Sequence, residues 1–475
     1  MTRPKQDRSE AADSTARATP AYRSADDRRF DGRARRDVAP RDAHAGWKPH
    51  KRRQDPIEIV SQSNVGRLPS LVPIRFGRMS TSAFAFYRGS AALMAADLAH
   101  TPTSGLRVQA CGDAHLMNFG GFATPERHVI FDINDLDETL PAPFEWDIKR
   151  LATSIVIAAQ HLQLPDSDAA RAATDVVREY RERMANYASM RAIDVWYDRI
   201  DLQRYEDRAA DPAVLKQLRK RIAERLEEAQ RKTAAEFLYP KLVSHEGASP
   251  RIKDEPPLIF HPTAEQAPGF ATGYADVIAL YRESMPEHTR TLFDRYHFFD
   301  YALKVVGVGS VGTVCGVCLF MAADNDPLFL QVKEARASVL EPYAGRSVHA
   351  NQGQRVVTGQ RLMQAASDVF LGWARTKDGR DVYIRQLRDM KISAVIEDWD
   401  IGLLRQYGRM CAHALARAHA RSGDAAQMAG YMGSGHGFDD AVGEFAVEYA
   451  DQNQRDFRAF TQAVRDGRVQ ALIEE

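Results

Sequence analysis

Cysteine is scarce: Cys111, Cys315, Cys318 and Cys411 are the only four in 475 residues. So few exclude a disulfide-framework protein and point to a reducing compartment. Net charge is also missing, because 64 basic residues balance 64 acidic ones, so no global field draws the chain to nucleic acid or an anionic membrane. No window approaches the ~18 consecutive apolar residues of a membrane span, and the N-terminus carries no apolar stretch of signal-peptide type. The expectation is a cytoplasmic protein without a membrane partner. No G-x-x-x-x-G-K-[ST] is present, which excludes a P-loop NTPase of the usual kind. No repeat of fixed period is visible.

What is there is ordinary globular material, 44% hydrophobic and 27% charged, enough for two or three packed units. Residues 1–55 are rich in Arg, Asp, Ala and Pro and poor in large apolar residues, so they are expected to form a disordered basic tail. The run Arg28 to Arg36 reads as solvated rather than as a nucleic-acid contact. Globular texture begins near residue 56. Ser82 to Ala99 has helical spacing; LRVQA reads as a strand followed by a polar loop; RHVIFDINDLDE is a strand running into acids; PFEWDIKRLATSIVIAAQHL is a long apolar helix. These fill a unit over 56–164. Residues 165–295 read as mainly helical. Residues 296–395 read as β-rich, with helix over GQRLMQAASDVFLGW and a strand at DVYIRQLRD, and 396–475 as helices again.

Two constellations carry chemistry. In the first, Asp113 and Asn118 stand five residues apart in GDAHLMN, and Asp132 follows in VIFDIND. A loop carboxylate, an amide oxygen and a carboxylate after the next strand are the hard-oxygen groups that phosphoryl transfer needs around Mg²⁺. Asp and Asn are equally common as turn residues, and Asp135, Asp137 and Glu138 can be read as a solvated acidic turn. His115 is expected to hydrogen-bond the loop backbone rather than to bind metal.

The second constellation is VVGVGSVGTVCGVCLF, where Gly307, Gly309 and Gly312 precede Val314 in a G-x-G-x-x-G-x-V. A dinucleotide site would open a helix at the third glycine; here a β-branched run follows, so strand, glycine turn, strand is expected, with Ser310 at the turn. Lys333, near the end of the next apolar run, falls where a nucleotide-phosphate lysine falls, and Glu341 is its nearest candidate partner. Alone, Lys333 reads as an edge-strand lysine and the loop as a tight hairpin. Cys315 and Cys318, three apart on one strand, point to opposite faces and are poorly placed to share a zinc ion.

Cys111 to Gly120 (CGDAHLMNFG) resembles the H-G-D-x-x-x-x-N loop of aminoglycoside and choline phosphotransferases, with Cys111 in place of the usual His. That resemblance puts Asp113 at the base position and Asn118 at a metal position. IFDIND resembles their I-D-W-x-D, with Asp132 at the metal-binding aspartate and Asp135 at the acid after it. FEWDIKRLA resembles the segment whose aspartate, here Asp147, is structural. Tyr407 to Ala420 resembles the helix that leads into the catalytic loop. From residue 55 onward the chain is also similar to the bacterial family called domain of unknown function 2252.

The resemblance implies an α+β, protein-kinase-like two-lobe fold in circularly permuted order, with a helical large lobe and a β-rich small lobe. It implies ATP and Mg²⁺ as cofactors, and a nucleotide plus an unknown acceptor as partners. Asp113 and Lys333 would be catalytic, the glycine loop and Lys333 would bind nucleotide, and Asn118 and Asp132 would bind metal, with His115, Asp135 and Glu341 in support. A nucleotidyl transferase or nucleotide-binding pseudokinase would use the same motifs. A scaffold protein whose charged helices at 165–240 face a partner would use none of them. Arg75, Arg78 and Arg88, upstream of the loop, are open to an anionic acceptor or to ordinary salt bridges.

Overall fold

A computed structural model describes residues 22–205, 211–231, 238–244, 249–263, 274–305, 307–324, 326–387 and 391–473. Its architecture is mixed α+β, built around two separate apolar centres. The first surrounds the helix Phe144–His161, in which every residue from Phe144 to Ala159 is buried. That burial explains a segment apolar on nearly all sides. The helices Asp166–Tyr187, Ile401–Ser422 and Gly437–Arg465 enclose it. Gly408 lets one crossing come close, because a Cβ there would meet Val176 Cγ2 at 2.6 Å. A small antiparallel sheet in the order Ile392–Ser393, Phe119–Ala123, Val129–Ile133, Ile200–Asp201 lies beside this bundle.

The second centre is a six-stranded antiparallel sheet ordered Gly372–Arg375, Asp381–Gln386, Pro327–Glu334, Cys315–Met321, His297–Lys304, Ile259–Phe260. Its two middle strands read as unbroken apolar runs because both faces are covered. The helices Tyr274–Ser284 and Glu287–Phe293 close one face, and Leu238, Tyr239, Leu242, Val243 and Ile252 pack on the other. The β-rich unit therefore begins well before residue 296. The expected unit 165–295 does not stand apart: its first helix belongs to the bundle, and its last strand and helices belong to the sheet.

Three local expectations are corrected by tertiary contacts. Of the expected disordered tail, residues 1–21 lie outside the described residues, but from Tyr22 onward the segment is folded. Ala25–Ala34 is a helix opened by a Ser24/Asp27 capping box. It crosses Ala425–Met432 so closely that a Cβ on Gly32 would sit 2.0 Å from Gln427 O. Small residues replace large apolar ones as the packing device. Arg36 and Arg41 then donate to the carbonyls of Gly430, Tyr431 and Met432, satisfying the orphan acceptors of that helix end. The helix expected over Ser82 to Ala99 is broken at Ser90 (φ −116°, ψ 36°) into Ala83–Gly89 and Ala91–Leu98. The helix expected through GQRLMQAASDVFLGW stops at Met363. Gln364 turns extended, donates through Nε2 to Ile133 O at 2.7 Å, and brings Ala365 N to Asp132 Oδ2 at 2.8 Å.

No described helix is long and apolar enough to cross a membrane.

Two buried charges make the packing testable. Arg417 and Asp132 are both fully buried and meet at 2.6 Å. Arg417→Met should destabilise the fold by about 3–5 kcal/mol, because Asp132 is left charged and unpaired. Adding Asp132→Asn should restore part of the loss in urea denaturation. Lys149 Nζ has no hydrogen-bond partner among the described residues and sits 4.6 Å from the Phe445 ring centroid. Burial pushes its ammonium down from the ordinary 10.5 to about 7, against the pull of Glu145. Between those values the unfolded chain binds the extra proton, so this group makes stability rise with pH through that window. Lys149→Met should flatten the rise and raise stability near neutrality, read from unfolding curves at about pH 7 and about pH 9.

Candidate functional site

One face of the helix Phe144–His161 builds the first half of the site. Asp147, Arg150 and Ser154 recur at helical spacing and all point at the loop that follows the strand Arg107–Ala110. Asp147 accepts from Cys111 N at 2.6 Å through Oδ2 and from Gly112 N at 2.9 Å through Oδ1, and His419 Nε2 lies 3.0 Å from the same Oδ2. Gly112 has φ +81°, and a Cβ there would meet Glu138 O at 2.5 Å, so only glycine fits. Arg150 Nε donates to Asp113 Oδ1 at 2.6 Å, and Ser154 Oγ accepts from Leu116 N at 3.0 Å. Asn118 Nδ2 donates to Asp113 O at 2.7 Å, closing the loop on itself. His115 Nδ1 accepts from Met117 N at 3.2 Å, and burial pushes the imidazole down to about 3, so it is neutral.

The acids after the strand Val129–Ile133 divide in two directions. Asp132 faces the bundle, fully buried, and its oxygens are taken by Arg417, Ile133 N and Ala365 N. The expectation that Asp132 is a metal-binding aspartate is therefore corrected: period-2 alternation turns it away from the cleft. Asp135, Asp137 and Glu138 line the cleft instead. They do not form a merely solvated turn. Asp137 accepts from Lys333 Nζ at 2.7 Å and from Tyr383 Oη, and Arg355 donates to the carbonyls of Asp137 and Thr139 at 2.8 and 2.6 Å. Burial works to raise the Asp137 carboxyl, but Lys333 and Tyr383 hold it at about 2. Asp135 is pushed above the usual carboxylate range, by desolvation first and by its neighbour Asp137 second. Crowded as it is, it keeps 35% of its side chain exposed. Burial raises Glu138 to about 6, while its Oε2 accepts from Val339 N at 2.7 Å.

The second half comes from the sheet. Lys333 stands in Pro327–Glu334 between Cys315 and Tyr383 on the flanking strands. Besides Asp137, its Nζ lies 3.7 Å from Asp135. Glu341 is not its partner: that carboxylate accepts from Gln352 Nε2 at 3.2 Å. The expected strand, glycine turn and strand are found, His297–Lys304 pairing antiparallel with Cys315–Met321. Gly307 and Gly312 have φ of +69° and +88°, which only glycine adopts readily. Gly307, Gly309 and Ser310 border the cleft. Gly312 instead anchors the loop by accepting from Leu68 N at 2.7 Å, and Val314 is buried in the sheet core.

The cleft between these halves has a volume of about 350 Å³ and is lined by Asp113, His115, Asn118 and Asp135 on one side and by the glycine loop on the other. Sequence reasoning missed Arg150, Tyr383 and Arg355. Arg150 was the findable one, since it lies one helical turn beyond Asp147. Cys315 faces Lys333 across the ladder, whereas Cys318 packs in the apolar cluster with Tyr281. Among the described residues no three His, Cys, Asp or Glu side chains form a ready metal cage. Mg²⁺ needs less from a protein, often one or two carboxylates with water and phosphate oxygens completing its shell.

No curated protein and no solved structure matches the chain. Residues 67–463 match the family described as "Uncharacterized protein conserved in bacteria (DUF2252)". That match spans most of the sequence, and the chain belongs to the DUF2252 family.

Proposed function

We propose that the protein is an ATP- and Mg²⁺-dependent phosphotransferase whose bundle and sheet act as the two lobes of a circularly permuted kinase-like fold. The observation that carries this reading is the 2.7 Å contact between Lys333 Nζ and Asp137, which lie 196 residues apart in the sequence. It brings the glycine-loop half against the Asp113 half, although their order is the reverse of an ordinary kinase. The helix Ile401–Ser422 supports the permutation. Ser422 Oγ accepts from Gln109 N at 3.1 Å, so this late helix ends beside the strand that leads into the loop. That is where its resemblance would have it.

In this reading Asp113 is the group that orients the acceptor hydroxyl and takes its proton, with Arg150 fixing one carboxylate oxygen and leaving the other toward the cleft. Asn118 and Asp135 would hold Mg²⁺, Asp135 taking the role that sequence reasoning gave to Asp132. Their hard oxygen donors and the open face of Asp135 fit that ion. When bound, Mg²⁺ supplies charge neutralisation on the phosphates. Lys333 would exchange part of its hold on Asp135 and Asp137 for the nucleotide phosphates, and the glycine loop would cover them with backbone N–H groups.

The test is calorimetry of ATP with and without Mg²⁺ on wild type, Asp135→Asn, Asp132→Asn and Lys333→Met. Mg²⁺-dependent binding is expected in wild type and should be lost in Asp135→Asn and Lys333→Met. Folded Asp132→Asn should keep it. Failure of the wild type to bind would remove the reading. Asp113→Asn should leave nucleotide affinity nearly unchanged and slow turnover by roughly 10²–10⁴-fold, the usual range for a lost general base. Product analysis by phosphorus NMR separates phosphoryl from nucleotidyl transfer.

A further inference from the structure

Four guanidinium groups also line the cleft: Arg67, Arg75, Arg88 and Arg336. Their hydrogen bonds run to neutral acceptors. Arg67 donates to Ser63 O at 3.0 Å and Val311 O at 2.6 Å, Arg75 to Asn64 Oδ1 at 2.6 Å and Gly89 O at 2.8 Å, and Arg336 to Ser63 O at 3.1 Å and to Val65 O. Arg88 makes no hydrogen bond to a described residue, and the Nε atoms of Arg88 and of Arg75, itself only 2% exposed, are buried without a partner.

None of the four is ion-paired with a carboxylate among the described residues. Asp135 keeps an open face and lies 3.7 Å from Lys333; the other acids of the cleft are engaged elsewhere. Asp113 holds Arg150, Asp137 holds Lys333, Glu138 holds Val339 N, and Glu334 holds Val314 N and Arg380. Other buried arginines of this protein do find acids: Arg53 bridges Asp97 and Asp456, Arg181 meets Asp439, and Arg417 meets Asp132. Burial first, and the neighbouring Arg336 charge second, push Arg67 down to about 10. Glu138 and Glu334 pull Arg67 the other way, and Asp113 does so for Arg88, but none of these acids closes an ion pair with the four, so guanidinium groups crowded on one wall still favour an anion between them.

The position of this cluster is specific. Leu68 N ties it to Gly312, Arg67 Cβ lies 3.1 Å from where a Gly312 Cβ would stand, and Arg88 O lies 3.6 Å from the corresponding point on Gly309. The cluster therefore runs along the glycine loop toward Asp113. We infer that Arg67, Arg75, Arg88 and Arg336 form a phosphate-binding wall, which makes the cleft's ligand a polyanion bearing at least one phosphate group. Forked guanidinium donors match phosphate oxygens in pairs. The phosphate has two possible sources, the polyphosphate of a nucleotide or a phosphate on the acceptor. This deepens the phosphotransfer reading by naming the charge of what enters the cleft. It does not require turnover.

The experiment uses the full chain and inorganic tripolyphosphate without metal, followed by calorimetry and by thermal melting. Wild type should bind it and melt higher, with binding weakened by salt. Arg88→Gln and Arg336→Gln, both at partly exposed positions, should each weaken binding by about tenfold or more, the loss expected for one charge-assisted hydrogen bond. Should Arg336→Gln fail to fold, Arg88→Gln carries the test, because that guanidinium holds no described backbone group. No binding by wild type, or equal binding by Arg88→Gln, would overturn the wall and leave the arginines as clamps on the glycine loop. Arginine-dependent tripolyphosphate binding without any Mg²⁺·ATP binding would keep the wall and remove the phosphotransferase. Where both bind, displacement of tripolyphosphate by a Mg²⁺-bound non-hydrolysable ATP analogue assigns the wall to the nucleotide. Simultaneous binding assigns it to a phosphorylated acceptor.

Discussion

A helix buried on every side cannot leave its polar residues to water, and the rest of this structure is arranged around that constraint. Phe144–His161 carries Glu145, Asp147, Lys149, Arg150, Thr153 and Ser154 into the interior. Asp147 spends its charge on two backbone N–H groups of the loop and on His419, Arg150 on Asp113, and Ser154 on Leu116 N. The requirement to satisfy buried donors and acceptors is what holds the loop in one conformation. A preorganised loop is also what a reaction depending on positioning would need. Lys149 Nζ, Trp146 Nε1 and Thr153 Oγ1 are left without a partner among the described residues, and the depressed basicity of Lys149 is the physical sign of that unmet requirement.

Much of the site was legible because its parts sit in local signals. The G-x-G-x-x-G-x-V before a β-branched run specified a hairpin through Gly307 and Gly312, whose positive φ angles no other residue accepts easily. Asp113 and Asn118 were placed on one loop by their spacing after a strand, and Asp147 was singled out only by the resemblance of FEWDIKRLA to the phosphotransferase segment. Asp132 was misassigned because sequence shows that an acid follows an apolar strand but not which face it takes. Its role was decided by Arg417, nearly three hundred residues away, and no local pattern carries that information. Glu341 failed for a similar reason: proximity in sequence to Lys333 says nothing about reach across a cleft. The order of residues 22–55 was hidden because its packing uses glycine and alanine contacts and arginine-to-carbonyl bonds, which look like disorder when composition alone is read.

Bundle and sheet meet through small apolar contacts, Val311 with Leu71 and Ile74 and Val308 beside Phe76, and through a set of polar ones. Lys333 to Asp137, Tyr383 to Asp137, Arg355 to the carbonyls of Asp137 and Thr139, and Ser338 Oγ to Glu138 O at 2.6 Å all converge on one short turn. Such a junction is directional.

The region shared with the family begins at residue 67, yet Arg53 lies before it and joins Asp97 and Asp456, two buried carboxylates on separate helices. A fragment trimmed to 67–463 would keep both acids and lose the cation between them, and it would also shed the helix that seals Ala425–Met432. The matched region is thus not the whole packed unit, since residues before it complete contacts inside it. In electrostatic terms the start of the match cuts through a closed circuit of charge.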